Sequence, residues 1–310
     1  MRQLAEIQRP SASRQAEIVT FDDTAQAPAD LTIEVYTSPG RTFTSAITPE
    51  GPGDEPTWSP SSATLIYGDH DAILVDTPAT YDQVDALADW IDTKVRRLSR
   101  IYITHGHGDH WLGLARLIQR FPGATGLATA EVLAQADDPG MAGYWEAIFP
   151  GEVPTGAEKV LPQLLTTDTI DLEGNELRVI RIGQADTAES TVLHVPSLAA
   201  VVTGDLAYNG VHMMTAETGE PEREQWIANL DKVAALEPAF VVAGHKKVEH
   251  DNDPKIIGES QQYLRDFSRI AAEETTTAGI VARMAERYPD WENRRTLWHS
   301  ARTVIARKDS

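Results

Sequence analysis

Between Thr104 and Trp111 the chain reads His-Gly-His-Gly-Asp-His, which places four side chains able to donate to a cation, His105, His107, Asp109 and His110, within six residues. They follow SRIYIT, an apolar run that reads as a strand, and they precede a stretch from Asp109 to Arg120 with helical spacing. A strand end meeting a helix start can aim neighbouring side chains at one point. Alternate positions on the strand end share a face, and the first helical turn looks back over it. His105 and His107 should therefore converge, with Asp109 and His110 facing them, while Gly106 and Gly108 allow a tight backbone path. An isolated histidine is more often a satisfied core residue than a ligand, but four donors this close together argue for a cation site.

The chain has no cysteine. That removes a disulfide framework, a zinc ribbon, an iron–sulfur cluster and a thiol nucleophile, so any metal must be held by nitrogen and oxygen. With 27 Lys and Arg against 47 Asp and Glu, the formal charge of −20 disfavours nucleic acid and anionic membrane surfaces as partners. The N-terminal MRQLAEIQRPSASRQAEIVTFDD lacks the apolar core of a secretory signal, and no later run approaches the ~18 apolar residues of a membrane span. A cytoplasmic protein with a small-molecule substrate is the expectation. Residues 1–28, polar and dotted with Pro, Ala and Ser, read as a loosely held arm, and 29–310 as one domain.

Along that domain, LTIEVYTS, RTFTSAIT, SATLIYG and DAILVDT read as an antiparallel meander, and YDQVDALADWIDTK as a helix with Val84, Leu87, Trp90 and Ile91 on one face. A Gly/Pro-rich segment from Asp137 to Pro162 separates this half from a second one. The second half has strands at NELRVIRIG, STVLHV, AAVVTGD and AFVVAG, with a helix from about Glu222 to Leu236. From about residue 255 the pattern is helical, in IIGESQQYLRDFSRIAAE, TAGIVARMAERYP and RRTLWHSARTVIAR. These helices would either cover a sheet edge or pair two chains into a homodimer.

The donor run resembles the signature of the metallo-β-lactamase superfamily, His-x-His-x-Asp-His after a strand. The resemblance extends from about Leu31 to Lys247, two-thirds of the chain. It implies an α/β fold, a four-layer αββα sandwich, here with a helical C-terminal extension. It also implies a further His, an Asp bridging two metals, and a last His. Asp205 in VVTGD matches the bridging Asp and His245 in VVAGH the last His, 95 and 40 residues further along in turn. Asp76 in ILVDT resembles the family's carboxylate that orients a ligand histidine.

One position departs from the pattern. Where the family writes Gly-His-Thr, this chain has Gly183-Gln184-Ala185, so Gln184 stands as the expected third ligand of the first site. A carboxamide oxygen is a weaker, harder donor than imidazole, and the site of His105 and His107 should bind less well than that of Asp109, His110 and His245. Three readings stay open: Gln184 ligates, Asp186 or Glu189 substitutes, or only the second site fills. His194 lies inside an apolar strand and reads as a core residue.

What the resemblance implies chemically is a hydrolase with one or two divalent cations, zinc first, with iron or manganese also fitting. The cations would bring a bound water to hydroxide near neutral pH to attack a carboxylic ester or lactone. Asp109 would both ligate and orient the nucleophile. Tyr208, three residues after Asp205, resembles the tyrosine of the superfamily's lactonases and would serve the leaving oxygen. His212, Met213 and Met214 are candidates for the pocket wall. Trp58 in EGPGDEPTWSP and Tyr144, Trp145 and Phe149 in PGMAGYWEAIFPG are candidates for an apolar substrate surface on loops. The alternative is a catalytically impaired binding module whose first metal site has degenerated.

Overall fold

The structure is a computed structural model and describes residues 28–43, 57–95 and 97–308. The expected N-terminal arm lies outside these residues except for Pro28, as do the end of RTFTSAIT and most of the loop before Trp58.

Two sheets face each other. The first runs in the order Thr32–Ser38, Ser61–Tyr67, Ala72–Val75, Leu98–Tyr102, Thr125–Ala128, Gln163–Leu164. Its first three strands form the antiparallel meander, and from Ala72–Val75 onward the neighbours are parallel. The second runs Phe240–Val242, Ala200–Val202, Ser190–Val195, Asn175–Gly183, Thr169–Leu172. Side chains alternate across each strand, so adjacent residues enter different layers. Ile66, Ile73, Val75 and Tyr102 meet Leu193, Val195, Val202 and Val242 between the sheets. Leu65, Leu74 and Ile101 face the outer layer, where helix Tyr81–Asp92 buries Val84, Leu87, Ala88 and Ile91 at three- and four-residue spacing. Val192, Val201 and Val241 face the opposite outer layer, with Trp226 and Leu230 of helix Glu220–Ala234 and Tyr263, Leu264 and Phe267 of helix Lys255–Glu273. Three apolar layers between four structural ones make the αββα sandwich.

Two stretches differ from their expected form. The helix expected from Asp109 to Arg120 is two helices, Gly108–Trp111 and Leu114–Arg120, because the Gly113 N–H leaves the helical ladder and donates to the Thr77 hydroxyl at 3.1 Å. Within the segment read as Gly/Pro-rich loop lies helix Pro139–Ile148. Asp138 caps it by accepting from Gly140 N at 2.7 Å, and Pro139 opens it, where a missing N–H costs nothing. The C-terminal helices Lys255–Glu273, Thr277–Arg287 and Arg294–Lys308 cover the protein's own outer layer. Among the described residues no helix is long and apolar enough to cross a membrane.

Asp266 joins the first two of these helices. Its carboxylate accepts from Gln262 (3.0 Å), Arg269 (3.2 Å), Arg287 (2.7 Å) and Tyr288 (2.9 Å). Burial works against the charged form, but these donors outweigh it and hold the pKa down to about 2, below the ordinary 3.8. A depressed folded-state pKa means the stabilisation is complete above the unfolded value and is lost as pH falls through the folded one. Asp266→Ala should therefore lower the unfolding free energy by about 1–3 kcal/mol at pH 7 in a urea titration. The gap to wild type should close between pH 4 and 2; a gap that stays constant over that range would show that charge is not the cause.

Candidate metal centre

Four chain segments end at one rim of the sandwich and bring their donors together. Strand Leu98–Tyr102 leads to His105, fully buried, and to His107, which caps helix Gly108–Trp111 in extended conformation (φ −65°, ψ 140°). Asp109 and His110 sit in the first turn of that helix and are buried. Asp205 stands in the turn Gly204–Leu206 after strand Ala200–Val202, and His245 lies just beyond strand Phe240–Val242. Asp186 follows strand Asn175–Gly183 and is fully buried. Gly106 and Gly108 serve a purpose other than backbone freedom, since neither has a positive φ. A Cβ on Gly106 would stand 2.3 Å from Gln135 Cβ, and one on Gly108 2.3 Å from Trp145 Nε1, so both are required by close packing.

The ligand atoms form two sets. His105, His107, Asp186 and Asp205 bring theirs within 4.8 Å of one another, and so do Asp109, His110 and His245. Asp205 stands between the sets, with Oδ1 3.3 Å from His110 Nε2 and Oδ2 3.3 Å from His245 Nε2. Asp186 Oδ2 lies 2.8 Å from His107 Nδ1 and 3.9 Å from His105 Nε2.

Hydrogen bonds behind the donors fix their tautomers. The carbonyl of Pro60 can only accept, so His245 donates to it from Nδ1 (2.9 Å) and turns Nε2 toward Asp109 and Asp205. Asp76 accepts from Thr104 N (2.8 Å), from Thr104 Oγ1 (2.7 Å) and from His110 Nδ1 (3.0 Å). Its own backbone is held at φ +61° at the end of strand Ala72–Val75. Because the Thr104 hydroxyl gives its proton to Asp76, it accepts from His105 Nδ1 at 3.0 Å. One buried carboxylate thereby turns two imidazoles so that their Nε2 atoms point into the cluster.

These inward atoms are incompletely satisfied. His105 Nε2, His110 Nε2, Asp205 Oδ1 and both Asp186 oxygens are buried without a well-formed hydrogen bond, and their close polar neighbours are other members of the cluster, His107 Nδ1 at 2.8 Å from Asp186 Oδ2 and His110 Nε2 at 3.3 Å from Asp205 Oδ1. Orphaned polar atoms of this kind are costly unless something polar or charged completes them. The charges agree: burial pushes the Asp186 carboxyl up to about 7. For His245 burial opposes protonation, yet Asp205 and Asp109 outweigh it and raise the pKa to about 10. A nitrogen and oxygen set with excess buried negative charge and converging lone pairs fits a divalent cation in each half.

Of the residues singled out in the sequence, His105, His107, Asp109, His110, Asp205 and His245 converge here. Gln184 does not join them. Its carboxamide nitrogen donates to the neighbouring Ala185 carbonyl at 2.9 Å, its main-chain carbonyl accepts from Asn229, and Asp186 takes the expected place. The cause is local: the register of strand Asn175–Gly183 shifts between Arg181 and Gly183, Gly183 turns to φ +83°, and two more residues pass before a side chain faces the cluster. Glu189 is exposed, and His194 is half-buried on a strand facing Arg178 and Val201.

Above the donors lies a cavity of about 230 Å³ lined by Trp58, Tyr144, Trp145, Met214 and Ala216, with Asn293, Thr296 and His299 from the last helix and the turn before it. The Trp58 indole donates to Asp109 Oδ2 at 2.9 Å. Tyr208 is buried, lines the cavity and donates its hydroxyl to Asp205 Oδ2 at 2.6 Å. Among His212, Met213 and Met214, only Met214 reaches this wall; His212 is a core residue bonded to the Tyr263 hydroxyl. Phe149 packs beneath the wall against Trp145 and Phe43. Sequence reasoning missed Asn293, Thr296 and His299, about 190 positions from the donor run, where no local pattern marks them.

Comparison with known proteins extends the picture. Residues 56–245 match the family model for the metallo-β-lactamase superfamily. A type 2 metallo-β-lactamase of Bacteroides fragilis is 24% identical over 191 residues, covering 60% of this chain and 69% of that protein. In structure, the chain is similar to a metallo-β-lactamase of Pontibacter korlensis (TM-score 0.53, 19% identity, 76% of this chain and 99% of that one). It is also similar to the FIM-1 metallo-β-lactamase of Pseudomonas aeruginosa in its mono-zinc form (TM-score 0.54, 16% identity, 78% and 96%). At such identities the structural likenesses speak for the fold alone.

Proposed function

Since the chain belongs to the metallo-β-lactamase superfamily, a metallo-hydrolase superfamily, we propose that it hydrolyses a small, largely apolar carboxylic ester or lactone. The observation that carries this is the cavity wall: aromatic and apolar side chains stand over the donors, and no Lys or Arg is among the described residues lining it. A phosphodiester, a sulfate ester or a carboxylate-bearing β-lactam would bring an anion that needs a cationic partner there. An ester or lactone brings none.

His105, His107, Asp186 and Asp205 would hold one cation, and Asp109, His110 and His245 with Asp205 the other. Divalent metal at these positions supplies an activated water near neutral pH and polarises the carbonyl under attack. Trp58 keeps Asp109 Oδ2 oriented through its indole N–H. Burial and the adjacent Asp205 hold the Tyr208 phenol well above its ordinary pKa, so the proton stays on Oη, available to the carbonyl or leaving oxygen. Asp76 holds Nδ1 of His110 directly, and Nδ1 of His105 through the Thr104 hydroxyl, so that both Nε2 atoms are aimed into the cluster.

Tyr208→Phe should lower kcat about 10- to 100-fold with metal content unchanged; an unaltered rate would remove Tyr208 from the mechanism. The reading as a whole is tested by assaying metal-loaded protein against lactones, aryl esters, thioesters, β-lactams and phosphodiesters. Turnover of lactones or esters lost on chelation is the expected result. Bound metal with no turnover on any of them would favour a binding module instead.

A further inference from the structure

Resting on the metal-dependent reading above, we propose that Asp186 makes the first donor set a hard-cation site, shifted toward manganese or iron(II) and away from zinc, while the second set keeps an ordinary zinc preference. The two sets differ in chemistry. The first has two imidazoles and two carboxylates, His105, His107, Asp186 and Asp205; the second has two imidazoles and one carboxylate of its own, His110, His245 and Asp109. Asp186 is fully buried, its Oδ2 lies 2.8 Å from His107 Nδ1, and its Oδ1 has no hydrogen-bond partner. A buried carboxylate with an unmatched oxygen is unfavourable in a folded chain unless a cation completes it.

Carboxylate oxygens favour manganese and, less strongly, iron(II) relative to zinc, and the first set offers one more of them than the second. Zinc remains the stronger binder by the general order of divalent affinities, so the effect is a narrowed gap at one site rather than a reversal at both. Gln184 plays no part, because its carboxamide is turned to Ala185.

The experiment strips metal from the whole protein with a chelator and dialyses it against equimolar Zn²⁺ and Mn²⁺, and in a second anaerobic arm Zn²⁺ and Fe²⁺. Metal per chain is then counted by plasma mass spectrometry for wild type and Asp186→His. Wild type is expected to hold both metals, and the variant to lower the Mn:Zn and Fe:Zn ratios at least tenfold by taking zinc at both sites. Ratios equal within twofold would overturn the proposal while leaving the metal-dependent reading in place. Wild type that binds no metal in any arm would overturn both. Should Asp186→His not fold, Asp186→Asn keeps the shape and removes the charge. It should hold about one metal fewer per chain, and wild-type content and ratio in that variant would equally overturn the assignment.

Discussion

An Asp205→Asn variant is expected to lose about a thousandfold in kcat/KM, roughly 4 kcal/mol of barrier, and to hold fewer metal ions per chain than wild type. Asp205 belongs to the first donor set, and its two oxygens lie 3.3 Å from His110 Nε2 and His245 Nε2 of the second, which places it to serve both. Asparagine keeps the volume, so the fold should persist, but it offers one weakly basic oxygen where two charged ones stood. The amide hydrogens would then point at an imidazole lone pair or a cation. The Tyr208 hydroxyl would also lose its charged acceptor. Metal counting beside the rate separates the causes: near wild-type rate and content together would mean that Asp205 is not shared.

The second large effect is expected at Asp76, which touches no inward-facing donor atom. Asp76→Asn should weaken metal binding about 10- to 100-fold, most at the site of His110, and lower turnover in parallel at limiting metal. Asparagine tolerates the φ of +61° found there, so backbone strain is not the cause. What changes is the direction of one hydrogen bond. An amide NH₂ placed where Oδ2 now accepts would face His110 Nδ1 as a donor, forcing that nitrogen to accept and moving the proton to Nε2, the atom that must ligate. Titrating metal into apo protein reads the affinity directly, and restoration of rate at saturating metal would confirm that chemistry itself is intact. Unchanged affinity would show that His110 chooses its tautomer without Asp76.

The centre's main chain is legible in the sequence because the causes there are local. A strand ending at Tyr102 and a helix opening at Gly108 fix where His105, Asp109 and His110 point, and glycine after a short apolar run marks the strand ends that carry Asp205 and His245. Asp186 stood only as one substitute for Gln184 because the Gly-His-Thr pattern was matched at Gly183, whose left-handed backbone and adjacent register shift delay the inward-facing side chain by two residues. Helix Pro139–Ile148 read as loop because Pro and Gly were weighed as breakers, although Asp138 before Pro139 is a start signal and Trp145 supplies a buried face. The cavity wall was out of reach for another reason: Asn293 meets Ser59 from 234 positions away, a contact set by the packing of whole layers.

That distance along the chain divides the protein's capabilities by inheritance. Every candidate metal donor lies between His105 and His245, whereas Asn293, Thr296 and His299 follow some fifty residues later. Substitutions in the last helix can reshape the cavity without altering a donor, and changes among the donors leave that wall intact. Reactivity and choice of substrate can thus drift separately, and grafting residues 293–308 between relatives becomes a way to move the second without the first.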